Sequence, residues 1–272
     1  MKTITQNWRR GFLIGLGALL ISTLGIQASD ELSGVSGRLS GAVLSSESVC
    51  DSGSKQILMG ERAICMDVYE ASPSSECLFS TTDTELETIS NLSKPTCKAI
   101  SKAGVKPWRF VSYTQSKQLC ARSGNRLPTS EEWYYVAIGI SDVDKCFNTN
   151  SDTLRLTGTS ECISPAGVHD LVGNVWEWMG DVATDGQINN RSLPESGYVG
   201  LVDDNGLVIE TTQDASEEFG YDYASVNATG IKGILRGGFY GSGSDGGIFS
   251  QNIASNLDLA TVGVGFRCVK DL

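Results

Sequence analysis

Eight cysteines constrain this chain more than any other feature: Cys50, Cys65, Cys77, Cys97, Cys120, Cys146, Cys162 and Cys268. The count is even and no two are spaced C-x-x-C, while His169 is the only histidine, so a zinc site lacks its usual ligands. The pattern reads as disulfides formed in an oxidising compartment. Four bridges permit about 105 pairings, and Cys77 with Cys97 and Cys146 with Cys162 are the local expectations. Each bridge adds roughly 2–4 kcal/mol by restricting the unfolded chain.

The N-terminus agrees with export. Lys2, Arg9 and Arg10 precede an apolar run, Gly11 to Gly25, that is short for a membrane span, and Ile26 to Ala28 offers a small residue for cleavage. Residues 1–28 read as a signal peptide, with a retained membrane anchor as the alternative. The "RRGFL" stretch is similar to a twin-arginine signal, although Trp8 stands where Ser or Thr is usual. Residues 29–55 are rich in Ser and Gly and read as a tether, leaving 56–272 as the folded domain. The expected location is periplasmic, cell-surface or secreted, with no membrane insertion once the signal is removed. Removing three basic and no acidic side chains with residues 1–28 takes the formal charge from −11 to −14. Nucleic acids and anionic membranes are held mainly by Lys and Arg, so no nucleic-acid partner is expected.

Within the folded part, alternating Ile64, Met66 and Val68 suggest a strand. Ser80 to Ser93 reads as a polar, acidic surface excursion enclosed by Cys77 and Cys97. Two helices have readable ends, since Ser112 with Gln115 and Thr129 with Glu132 fit the capping box, and Gly124 and Gly139 suit their C-terminal ends. The second carries Trp133, Tyr134, Val136, Ala137 and Ile138, too apolar for a solvated helix. Asn205 and Gly206 sit between two β-rich runs of Tyr198 to Thr212, a strong hairpin signal. The acidic segment around them, Asp181 to Thr229, reads as an elaboration on the core fold.

"RLPTSEEWYYVA" (Arg126 to Ala137), "DLVGNVWEWMGD" (Asp170 to Asp181), "LRGG" (Leu235 to Gly238) and "GFRC" (Gly265 to Cys268) occur in this order. Together they resemble the formylglycine-generating enzyme or sulfatase-modifying factor family across roughly Ile57 to Val269. That resemblance implies an α+β, C-type lectin-like fold with two helices, short antiparallel sheets, much loop and stabilising disulfides. It also implies a bridge between Cys120 and Cys268. Independently, strand alternation sends Val175, Glu177 and Met179 one way and Trp176 and Trp178 the other, and Gly173, Gly237 and Gly238 admit backbone shapes that a Cβ would obstruct.

In calcium-binding relatives the segment matching Asp170 to Glu177 wraps the ion. Carried over, this implies side-chain oxygens of Asp170 and Glu177 with carbonyls of Gly173 and Val175, hard ligands suited to Ca²⁺. The competing reading is a carboxylate that braces its loop through backbone amides.

The family's oxidases bind copper through two cysteines shortly after "RGG". The matching places hold approximately Ser242 and Gly247, neither a soft ligand. A related iron-dependent branch needs several histidines, and His169 reads instead as a stacked or hydrogen-bonded ring. No nucleophile motif supports a Ser-His-Asp hydrolase. No catalysis is expected, and no copper, iron or organic cofactor.

The C-terminal region resembles that of variable proteins diversified by diversity-generating retroelements, with Gly247, Ile248, Phe249 and Gly265 to Cys268 as a frame around changeable positions. Randomising adenines in Asn-type codons cannot produce Gln, Glu, Lys, Met or Trp, and between Gly237 and Gly265 only Gln251 belongs to that set. The expected binding positions are Phe239, Tyr240, Ser242, Ser244, Asp245, Asn252, Ala254, Ser255, Leu259 and Thr261, a paratope-like mixture of aromatic and short polar groups. Phe239 also fits a core strand position. The expected function is an exported, non-catalytic binder of a protein or other macromolecule. The alternatives are a family member with formylglycine-generating-type or other enzymatic activity, and a carbohydrate-binding lectin.

Overall fold

The computed structural model describes residues 49–140, 146 and 153–272. The expected signal peptide, and the tether up to residue 48, lie outside the described residues. The cysteines pair as Cys50–Cys65, Cys77–Cys97, Cys120–Cys268 and Cys146–Cys162, which includes both local expectations and the bridge implied by family resemblance.

β1 (Ser54–Met59) and β2 (Arg62–Asp67) form a hairpin, with Ser54 opposite Asp67 and Met59 opposite Arg62. Ile64 through Asp67 are all buried, so this strand is covered on both faces rather than one. β3 (Ala71–Pro73) follows, and then α1 (Glu85–Ser93) inside the Cys77–Cys97 excursion. This helix was not expected from sequence. Its capping box, Thr84 with Glu87, is present, but its polarity is inverted: Thr88 and Asn91 face inward while Leu86 and Ile89 are exposed. Asn91 exchanges hydrogen bonds with the Phe79 backbone, and Thr88 accepts from Trp108 Nε1, so polar contacts satisfy a face that apolar periodicity cannot reveal.

β4 (Ala99–Ser101) pairs with β3. α2 (Tyr113–Ala121) and α3 (Ser130–Ala137) both begin with the capping boxes expected from Ser112 and Thr129. β5 (Trp176–Thr184) is the longest strand. β6 (Gln187–Ile188) and β7 (Arg191–Ser192) form a tight hairpin through Asn189 and Asn190, both at positive φ. β8 (Gly197–Val202) and β9 (Val208–Thr212) form the hairpin signalled by Asn205 and Gly206.

β10 (Tyr223–Val226), β11 (Ile231–Arg236), β12 (Gln251–Ser255) and β13 (Val264–Gly265) complete the largest sheet, in the order β7-β6-β5-β11-β12-β10-β8-β9 with β13 beside β5. β14 (Val269–Asp271) returns to β2, so the final strand closes a small sheet with the first hairpin. The result is an α+β, disulfide-rich domain.

The β5–β11–β12 core separates two apolar clusters. On one side α3 lays Trp133, Val136 and Ala137 against Met179, Ile234 and Ile253. On the other, Trp178 and Leu235 pack with Trp108, Leu119 and Phe266, and Trp176 is half-buried beside them. Trp176 and Trp178 thus share the face opposite Met179, as strand alternation requires.

Candidate functional site

The polar centre of the domain lies beneath the "DLVGNVWEW" loop. Arg267 Nε donates to Glu177 Oε2 at 2.8 Å and Nη2 to Oε1 at 2.5 Å, with both side chains fully buried. The remaining Arg267 donors reach the carbonyls of Asp67 and His169, and Trp133 Nε1 donates to Glu177 Oε2 at 2.9 Å. Asp170 accepts from the Gly158 amide and the Ser160 hydroxyl, each at 2.5 Å. Burial, reinforced by Asp170 and Glu177 nearby, holds the Glu70 carboxyl well above the usual carboxylate range. Glu70 accepts from Asn174 Nδ2 and the Val175 amide, which braces the loop from below.

These residues do not fit the implied calcium ion. Glu177 is engaged by a guanidinium and an indole, and Asp170 by a backbone amide and a hydroxyl, so the two acidic ligands face donors instead of a shared cation centre. Among the described residues no group of three His, Cys, Asp or Glu is arranged to hold a metal. The Asp170, Gly173, Val175 and Glu177 set therefore acts as a brace, with Arg267 supplying the positive charge. The bonds present are those of the competing reading, a carboxylate that braces its loop. His169 stacks on Tyr69 with ring centroids 5.0 Å apart.

The glycine-rich stretch after Arg236 is held from several sides. The Gly173 amide donates to the Gly237 carbonyl, and the Tyr240 amide donates to the Asn174 carbonyl at 3.0 Å. Ser242 Oγ accepts from the Phe239 amide, closing a turn that runs into a single 3₁₀ turn at Gly243–Asp245. At the far end, Asp222 Oδ2 accepts from the Phe249 amide at 2.7 Å, and Ser250 Oγ accepts from the Gly247 amide. A Cβ on Gly247 would collide with the Asp222 carboxylate, which explains the glycine there. Phe249 packs on Tyr134 and Phe219, anchoring the same segment in the core.

The expected binding positions fall into distinct environments. Ser244 and Asp245 are exposed. Phe239 and Tyr240 are half-buried and meet edge to face at 5.1 Å, with the Phe239 ring lying against Gly263. Asn252 and Ala254 share the half-buried face of β12, whereas Ser255 is buried and donates to Asn252 Oδ1. Ser242, Leu259 and Thr261 are half-buried, with Leu259 packed against the core. Gln251 is fully buried and donates to the Gly206 carbonyl, so it belongs to the frame.

The comparisons with known proteins match this arrangement of motifs. Residues 64–272 match the model of the sulfatase-modifying factor enzyme 1-like domain. The chain belongs to that family. A curated bovine (Bos taurus) relative, "Inactive C-alpha-formylglycine-generating enzyme 2", is 26% identical over 150 residues, covering 44% of this chain and 50% of the relative. The chain thus spans about half the length of the curated relative it matches. Among solved structures, the Major Tropism Determinant P3c variant aligns at 15% identity and TM-score 0.45, over 82% of this chain and 53% of that one. Treponema denticola variable protein 1 aligns at 14% identity and TM-score 0.43, over 80% and 99% respectively. At TM-scores below 0.5 neither likeness bears on function.

Family membership raises the question of copper. The matching places are Ser242, whose oxygen is used within its turn, and Gly247, which is packed against Asp222. All eight cysteines are bound in disulfides. The residues present do not fit a thiolate-bound copper ion.

Proposed function

We propose that the protein is an exported, non-catalytic binding protein that presents its C-terminal segment to a protein or other macromolecular ligand. The observation that carries this reading is the segment from Gly237 to Ser250: its backbone is tied to Gly173, Asn174 and Asp222 while Ser244 and Asp245 face solvent. Binding is weakened by the entropy of ordering side chains and loops, so a pre-ordered backbone lets exposed groups contribute at low cost. Tyr240 supplies contact area with few rotatable bonds. The bovine relative's name describes an inactive enzyme, which agrees with the absence of cysteine between Arg236 and Arg267. Four disulfides fit an oxidising location, whether periplasmic, cell-surface or secreted. No helix among the described residues is long and apolar enough to cross a membrane.

On this reading the positions from Phe239 to Thr261 are those a diversity-generating retroelement would alter, with buried Gln251 constant. Deep sequencing of the gene from a cultured population tests that part, and uniform sequence at every one of these codons counts against it. Crosslinking capture with the natural protein and with a Tyr240→Ala, Ser244→Ala, Asp245→Ala bait tests binding itself. A ligand retained by the first and lost by the second supports the proposal, and equal retention removes it. Family membership favours the competing enzymatic reading, and copper-dependent oxidation of a cysteine peptide by the purified protein would establish it.

A further inference from the structure

The largest sheet is covered on one side over part of its width. Above β5 and β11, Trp178 and Leu235 lie under Trp108, Leu119 and Phe266, and Tyr113 meets Trp178 edge to face. The strands beyond carry the same side outward. Leu235 of β11 pairs with Asn252 of β12, and Asn252 with Ser225 of β10, so all three side chains share the side of Trp178. Tyr223 stands two residues before Ser225, and opposite it is Tyr198 of β8, the two rings meeting edge to face at 5.3 Å. The reverse side of these strands is closed, with Val199, Val208 and Ala224 buried against Phe219 and Phe249.

Tyr198, Tyr223, Ser225, Asn252 and Ala254 are half-buried and form one open face. Tyr221, at the start of β10, is 44% exposed and held at φ +65°, a left-handed backbone that a bulky residue adopts only where its surroundings impose it. Among the described residues no protein group bonds the hydroxyls of Tyr198, Tyr221 or Tyr223, whereas those of Tyr113 and Tyr135 donate to carbonyls. Tyrosine supplies contact area with few rotatable bonds and a polar tip, and interfaces are enriched in it for that reason. The face is continuous with the C-terminal segment, because Ser250 leads directly into β12 and Asp222, which holds the Phe249 amide, leads into Tyr223.

Charge around this face has one sign. From Ser192 to Ile231 the chain has no Lys, Arg or His. Glu195 precedes β8, Glu210 lies in β9, Asp214 follows it, and Glu217 and Glu218 belong to the 3₁₀ turn that leads to β10. All five are exposed, and among the described residues none joins an ion pair. A guanidinium within about 6 Å of a tyrosine ring is attracted by the ring face, and unpaired carboxylates nearby add to that attraction. An anionic surface is repelled by the same groups.

We infer that the recognition surface extends from the C-terminal segment across β12, β10 and β8, and that its partner is a protein surface rich in arginine, whose guanidinium groups stack on Tyr198 and Tyr223. The inference rests on the binding function proposed for the C-terminal segment and adds to it the place and the chemistry of the contact.

Tetra-arginine amide is the probe, tetra-citrulline amide its uncharged counterpart, and NMR of the tyrosine rings of the purified protein the readout. Tetra-arginine is expected to shift the Tyr198 and Tyr223 resonances saturably, at least about tenfold tighter than tetra-citrulline, and to leave the exposed Tyr135 of α3 unshifted. Tyr198→Ala and Tyr223→Ala should each weaken the probe about two- to fivefold, the size of an exposed cation–π contact. Should either fail to fold, Glu217→Gln with Glu218→Gln, at exposed positions, should lower both the affinity and its dependence on salt. Equal shifts at Tyr135, equal affinity for the two peptides, unchanged affinity in the folded variants, or tighter binding of maltohexaose would overturn the inference, the last by assigning the face to carbohydrate. In crosslinking capture, a Tyr198→Ala, Tyr223→Ala bait that loses the ligand supports the extended surface when tetra-arginine also binds there. Retention by that bait, with loss by the bait altered at Tyr240, Ser244 and Asp245, overturns the extension alone, and retention by both removes the proposed binding function as well.

Discussion

Arg267 and Glu177 form a bidentate ion pair with both side chains fully buried, and this pair occupies the place where family resemblance implies a cation. Removing one partner of a buried pair strands the other charge, a loss of about 3–5 kcal/mol. Arg267→Met is therefore expected to lower stability by that amount in denaturant titration. Addition of calcium or of a chelator is expected to leave the natural protein's unfolding midpoint unchanged, since a ligand that binds the native state must raise it. A rise with calcium would reinstate the metal.

Asp222 makes stability depend on pH. Burial pushes its carboxyl up from 3.8 to about 8, opposed by the amides of Phe249 and Ser250. Between those values the native state retains a proton that the unfolded chain has released. This contribution is complete below 3.8 and is lost as pH rises through about 8. Asp67 behaves in the same sense but only up to about 6. Thermal unfolding from about pH 6.5 to about 8.5 should fall less steeply in Asp222→Asn than in the natural protein. Identical slopes refute this assignment.

The Cys120–Cys268 bridge joins the end of α2 to the residue before β14 across 148 positions. Replacing both cysteines with alanine should cost about 2–5 kcal/mol, read from the urea midpoint. Because β14 pairs with β2, loss of protection should concentrate in these two strands in hydrogen exchange.

Gly206 has φ +72° and lies against the Tyr134 ring. Gly206→Ala therefore combines left-handed backbone strain with a ring collision, and a loss of at least about 1–3 kcal/mol is expected in the unfolding free energy.

Ser244 and Asp245 are exposed and leave the segment's anchoring to others. Ser244→Ala and Asp245→Ala should each change stability by less than about 0.5 kcal/mol, whereas Asp222→Ala, which removes the Phe249 anchor, should cost about 1–3 kcal/mol. Comparable losses at all three positions would mean that Ser244 and Asp245 support the fold rather than present a surface.

Much of this molecule could be read from local pattern. The capping boxes at Ser112 and Thr129, the Asn205-Gly206 hairpin and the shared face of the two β5 indoles are set by residues within a few positions of one another, where propensity and alternation speak directly. α1 escaped because its inward residues, Thr88 and Asn91, are polar and its outward ones, Leu86 and Ile89, are apolar.

By itself, the order of residues determined that the cysteines serve as disulfides, the family and the location of a held C-terminal segment. Tertiary structure alone decided what fills the centre and which side chains the acidic elaboration places beside β12. Glu177 and Arg267 are 90 positions apart, and Ser130 and Asp181 are 51 apart. Whether a carboxylate meets a guanidinium, an amide or a metal depends on which distant donors folding places within about 3 Å of it, and no local periodicity carries that distance.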